Sequence, residues 1–104
     1  MYIIISTSTN KESVADVISK TLLKKQLSPC INTSTKSKSS YILNDEIIKD
    51  QEYVISIKTI ETFKEEIVTL IKKYHNYKTP EIISTKIEIL SDEYRQWYLN
   101  CLQI

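Results

Sequence analysis

Apolar residues open the chain without a break: Tyr2, Ile3, Ile4 and Ile5 form a run of strand length that suits a sheet's interior, covered on both faces. Thr9-Asn10-Lys11-Glu12 then has the spacing of a capping box, in which a threonine hydroxyl and a glutamate three residues later satisfy free amides at a helix start. Val14, Val17, Ile18, Thr21 and Leu22 follow at helical spacing and make one mostly apolar stripe. Pro29 ends this helix by about Leu27, because proline offers no amide and disfavours helical geometry before it.

From Cys30 to Leu43 the chain is rich in Ser, Thr and Lys, a composition read as loop or as a Thr-rich strand. Tyr41-Ile42-Leu43 before Asn44-Asp45 reads as a strand entering a turn, and Tyr53 to Ile57 as the returning strand. A long antiparallel hairpin is therefore predicted from about Cys30 to Thr59. Thr62, or Thr59, is placed to cap a second helix with the stripe Phe63, Ile67, Leu70, Ile71 and Tyr74. Pro80 suits the first residue of a last strand carrying Ile82, Ile83, Ile87 and Ile89. Ser91 can cap a short helix with Tyr94, Trp97, Tyr98 and Cys101 on one face.

The order β-α-β-β-α-β plus a final helix predicts an α+β, ferredoxin-like fold with a four-stranded antiparallel sheet and both long helices on one face. The other face is left bare, and its Ile, Tyr and Val side chains call for a partner copy. With 104 residues, one domain spanning 1–104 is expected.

Composition narrows the function classes. Fourteen basic and thirteen acidic residues are mixed along the chain, for a net charge of +1, so no field draws in nucleic acid or an anionic membrane. No apolar run reaches the roughly 18 residues of a spanning helix, and the start lacks a signal peptide's basic flank, which points to the cytoplasm. The two cysteines form no CxxC pair, and the absence of glycine excludes a Gly-rich phosphate loop. One histidine among scattered acids gives no constellation for catalysis, so a non-enzyme is expected.

Taken in series, Cys30-Ile31-Asn32, Tyr41, Glu52…Ile57-Lys58-Thr59, His75 to Ile82, and Tyr94…Trp97 resemble the landmarks of the CutA divalent-cation tolerance family. The resemblance implies a homotrimer with inward-facing sheets, a role in divalent-ion tolerance with copper binding in some members, and a cytosolic setting. It also implies a ligand cleft between subunits formed by Tyr41, Lys58, Tyr77, Glu81 and Trp97. Four departures stand out. Leu43 replaces the family's hairpin tryptophan, Asn76 its proline after the histidine, Thr7 a cysteine linked to copper in some members, and Tyr74 a second histidine.

Three residues are candidate metal ligands: His75 through a neutral imidazole nitrogen, Glu81 as a carboxylate aimed by Pro80, and Cys30 as a thiolate. Each also has a plain reading. His75 can bond a backbone carbonyl at a helix end, Glu81 can pair with Lys58, and Cys30 can pack as a small apolar side chain. Two further functions share the fold: a PII-like trimeric signalling module that binds a small ligand and a partner protein, and a structural trimer without specific ligand.

Overall fold

The chain runs β1 (Tyr2–Thr9), α1 (Glu12–Lys24), β2 (Cys30–Thr33), β3 (Ser37–Leu43), β4 (Glu46–Ile60), α2 (Lys64–Tyr74), β5 (Ile83–Ile87) and α3 (Asp92–Asn100), with a 3₁₀ turn at Glu61–Phe63 leading into α2. The computed structural model describes residues 1–103. β1 is central as its apolar opening predicts, pairing antiparallel with β4 on one side and β5 on the other. β2 extends the sheet to the order β2-β4-β1-β5, and β3 pairs with the outer part of β4 alone. The α+β, ferredoxin-like architecture is present. It has five strands where four are predicted, because the first arm of the hairpin is broken in two.

That break is a bulge with consequences for the site. Pairs Cys30↔Lys58 to Thr33↔Ile55 run in one register and Ser37↔Glu52 to Leu43↔Glu46 in another. Residues 34 to 36 therefore stand opposite only Tyr53 and Val54, one extra residue on the first arm. Serine hydroxyls stitch the gap. Ser34 Oγ accepts from the Val54 amide at 2.9 Å, and Ser37 Oγ donates to the Glu52 carbonyl at 3.2 Å. Beyond it, β3 and β4 project as a two-stranded arm that closes at Asn44 and Asp45, both with positive φ, as a tight hairpin turn needs.

Alternation along β1 and β4 assigns the two faces of the sheet. Ile3, Ile5, Thr7, Ile55, Ile57 and Thr59 are buried beneath the helices, with Ala15, Ile18 and Leu22 of α1 and Ile67 and Ile71 of α2 closing the core. Fully burying an Ile or Leu side chain contributes about 1.5–3 kcal/mol, so this layer carries much of the stability. The α1 stripe is rotated from the predicted one. Ala15 faces the sheet and Val17 is 43% exposed, because the small alanine lets the helix lie close to the strands.

The predicted threonine caps are also corrected. Lys11 occupies the α1 cap position without a side-chain bond. Thr9 instead ends β1, where its hydroxyl receives the Lys11 amide at 3.2 Å and donates to Asn76 Oδ1 at 2.6 Å. α2 has no side-chain cap either: Thr62 lies in the 3₁₀ turn, and the buried Thr59 hydroxyl donates to the Leu27 carbonyl at 2.7 Å. Ser91 does cap α3, accepting from the Tyr94 amide at 3.2 Å.

α1 stops three residues before the predicted limit, at Lys24, through a left-handed Gln26 with φ of 56°. The Leu27 amide bonds the Leu22 carbonyl and the Gln26 amide the Leu23 carbonyl, both at 3.0 Å, while the Leu22 and Leu27 side chains are both buried. Glycine usually fills such a position, since a side chain there costs about 1–2 kcal/mol. Gln26→Gly is expected to stabilise the chain by about 0.5–1 kcal/mol after its added unfolded-state entropy, read as a higher urea midpoint at unchanged slope.

α3 covers one end of the sheet face away from α1 and α2. Tyr98 is fully buried, its ring edge-on to Tyr2 at 5.5 Å and its hydroxyl donating to the Thr59 carbonyl at 2.6 Å. That face is therefore less bare and less apolar than predicted: Ser6, Ser8, Ser56 and Lys58 lie on it and are only part-exposed. The exposed apolar side chains gather instead on the arm, at Ile42, Leu43 and Ile47, and at Ile83 and Leu90. No helix among the described residues is long and apolar enough to cross a membrane.

Candidate functional site

The even-numbered residues of β4 carry the open sheet face outward along the arm, from Lys58 and Val54 to Glu52. Because of the bulge, odd-numbered residues of β3 share that side, so Ser39 and Tyr41 stand beside the even-numbered β4 residues. The loop after α2 folds across them. Together they enclose a cleft of about 960 Å³, lined by Tyr41, Leu43, Glu52, Tyr77, Pro80 and Glu81 among others.

Five side-chain bonds hold that loop. His75 accepts the Tyr77 amide on Nδ1 at 3.0 Å, which leaves the proton on Nε2 to donate to the Ser8 carbonyl at 2.8 Å. Asn76 accepts from Thr9 and donates through Nδ2 to Asn10 Oδ1 at 2.9 Å. Where a proline would stiffen the backbone, this asparagine fastens the loop to the end of β1. Tyr77 then donates its hydroxyl to Glu52 Oε2 at 2.5 Å, the short range of a bond to a charged acceptor.

Glu52 is 6% exposed, unusual for a carboxylate, and the Tyr77 hydroxyl is its partner. Burial first, then the Glu52 bond and charge, push the Tyr77 phenol well above its ordinary value of 10. Tyr77 is thus a neutral donor at any physiological pH, holding Glu52 in place with a second carboxylate oxygen to spare. Glu81, exposed, lines the same cleft, whose walls at Leu43, Val54 and Pro80 are apolar. Such a site offers hard oxygen acceptors beside an apolar wall, suited to a cation or a donor-rich small molecule.

Of the sequence-derived candidates, Tyr41, Tyr77 and Glu81 line the cleft, and Lys58, His75, Cys30 and Trp97 do not. Lys58 lies further up the sheet, its ammonium donating to Asn32 Oδ1 and standing 3.8 Å from Cys30 Sγ. The one ion pair among the described residues is Arg95–Asp92, so Glu81 does not pair with Lys58. Trp97 is 45% exposed on α3, tilted against Tyr94 at 5.4 Å. Both His75 nitrogens are engaged, and no group of three His, Cys, Asp or Glu among the described residues is placed to hold a metal. Thr7 faces the core, with no hydrogen-bond partner for its hydroxyl among the described residues, and Tyr74 packs against that core.

Glu52 is the residue that sequence reasoning named as a landmark but not as part of a site. Its signal is a carboxylate on the strand face that also carries Val54, three residues before the core begins at Ile55.

Residues 3–101 match the family model described as CutA1 divalent ion tolerance protein. The chain belongs to the CutA family. It is 34% identical over 97 residues to the divalent-cation tolerance protein CutA of Thermotoga maritima, covering 93% of this chain and 94% of that one. With the CutA of Pyrococcus horikoshii it shares 32% over 99 residues, 95% of each. The crystal structure of the Thermus thermophilus divalent cation tolerance protein superposes with a TM-score of 0.92 at 27% identity, over 98% of this chain and 99% of that one. CutA membership accounts for the landmark series and for the ferredoxin-like core with its projecting arm. The cleft is therefore a feature of a CutA chain.

Proposed function

We propose that the chain acts in the cytosol as a homotrimer that binds a divalent cation, copper foremost, in the Glu52–Glu81 cleft once a neighbouring copy completes it, and that it catalyses no reaction. The observation that carries this reading is the buried Glu52 carboxylate, fixed by Tyr77 on the wall of a cleft that Glu81 also lines. One chain supplies too few ligands for a closed site, which favours a neighbour's contribution. The exposed Ile42 and Ile47, paired across the arm and each 76% exposed, favour burial against another copy. For an oxygen site of given geometry, Cu²⁺ binds more tightly than the other first-row divalent ions, so copper is the strongest occupant.

Titration calorimetry of the purified protein with Cu²⁺ and Zn²⁺ tests the site. Saturable binding is expected, weakened on the order of tenfold or more by Glu81→Ala as one charged ligand is lost, and unchanged by Lys20→Ala on the exposed side of α1. Heats of dilution alone for both ions would overturn the cation reading. Nucleotide binding without any metal response would transfer the cleft to a PII-like signalling role. Light scattering at micromolar concentration should give three chains per particle, and a monomer would refute the assembly.

A further inference from the structure

The side of the arm turned away from the cleft has a different chemistry. In the β3–β4 register, Lys38 lies opposite Gln51 and Ser40 opposite Lys49, so Lys38 and Lys49 are diagonal neighbours on one face. Side chains so placed on a two-stranded ribbon are about 7–8 Å apart. Lys36, just before β3, joins them around a concavity of about 640 Å³ that reaches Asn10 at the junction of β1 and α1. All three lysines are exposed. Among the described residues the one ion pair is Arg95–Asp92, so no carboxylate lies within bonding reach of these ammonium groups. Asp50 is the lone acid on the rim, and its Oδ1 accepts from the Gln51 amide at 2.8 Å.

Lys38 and Lys49 on one ribbon face and Lys36 in the bulge beside it are like charges that repel one another, and the chain's overall charge of +1 shows that this concentration is local. The neutral members of the lining, Asn10, Ser40 and Gln51, supply hydrogen-bond donors and no opposing charge. Such a face is complementary to a compact, multiply charged anion with several acceptor oxygens.

We propose that this face is a second ligand site, binding a small polyphosphate-bearing anion through Lys36, Lys38 and Lys49. It lies mostly across the ribbon from the Glu52–Glu81 cleft, with Ser40 on the rim of both, and nearer the root of the arm than Ile42 and Ile47 on the same face. The site needs no preformed phosphate loop, because flexible lysines reach the anion as point charges.

Calorimetric titration with inorganic triphosphate in 20 mM salt tests it. One ion per chain is expected, with affinity falling on the order of tenfold or more for Lys38→Gln/Lys49→Gln as two charge-assisted contacts are lost. Asp50→Asn should tighten binding by removing the opposing charge. The charge-matched control Lys20→Gln/Lys24→Gln, on α1, should bind as the parent does. Circular dichroism and the light-scattering mass are recorded for every variant, so that a folding or assembly defect is recognised. No binding by the parent, or equal losses in control and test variants, would overturn the proposal. So would unchanged binding by a folded Lys38→Gln/Lys49→Gln chain.

Discussion

Replacing Tyr98 by alanine is expected to lower stability by about 3–5 kcal/mol, the range for deleting a buried aromatic ring. Tyr98 is fully buried, stacks edge-on to Tyr2, and closes the Thr59 carbonyl with its hydroxyl. Truncation leaves both a cavity and an unpaired carbonyl. A domain of this size is stable by about 5–15 kcal/mol in total, so the loss is a large share of the whole. Tyr98→Phe keeps the ring and removes only the hydrogen bond, for an expected cost of about 1–2 kcal/mol. Urea denaturation at one fixed chain concentration separates the two, since linkage to assembly makes the midpoint concentration-dependent. Equal stability of the alanine variant and the parent would mean that α3 does not hold the sheet face.

The second large effect is expected at Tyr77. Tyr77→Phe leaves the buried Glu52 carboxylate without its donor and should cost about 2–3 kcal/mol. Glu52→Gln keeps an acceptor and should cost less. The double variant should recover part of the sum, giving a coupling energy of about 1–2 kcal/mol in a mutant cycle. The same pair sets an alkaline limit. Burial, and for Tyr77 the Glu52 bond and charge, raise the folded-state values of Tyr77 and Tyr98 above the ordinary 10. Their contribution is complete below pH 10 and is lost above it, as the unfolded chain releases protons that the folded chain retains. Each group adds a slope of up to about 1.4 kcal/mol per pH unit. Chemical denaturation between neutral pH and pH 11 should show Tyr77→Phe declining less steeply than the parent. A parallel decline would remove Tyr77 from this role.

The fold was legible because its signals are local and repeated. Ile67 and Ile71 recur at helical spacing, Ser91 stands before an aromatic helix, and Asn44-Asp45 divides two extended runs. What escaped are the features set by tertiary partners. Thr9 looks like a cap in sequence, yet its hydroxyl is engaged by Asn76, which lies 67 residues away. Glu52 looks like an ordinary strand acid until Tyr77 folds onto it.

The bulge at residues 34 to 36 is the clearest case. Had the pairing of β2 continued unbroken, Tyr41 would stand opposite Ile47, on the lysine side of the arm. With one residue added it stands opposite Ile48, on the cleft side. Ser34, Thr35 and Lys36 carry no glycine and no proline to mark the slip. The candidate cleft was therefore legible as a set of residues and not as an arrangement.

β4 runs from Glu46 to Ile60 without interruption, from the tip of the arm to the floor of the core. One unbroken strand therefore indexes both ligand-facing sides against the buried isoleucines, as a keyway indexes a shaft. A single residue gained or lost near Tyr53 would exchange the carboxylate and lysine sides while the core kept its register. Length can vary freely only beyond Leu43 and Glu46, at the turn. The arm can therefore gain residues at its end without exchanging its two sides, while its root must stay in phase.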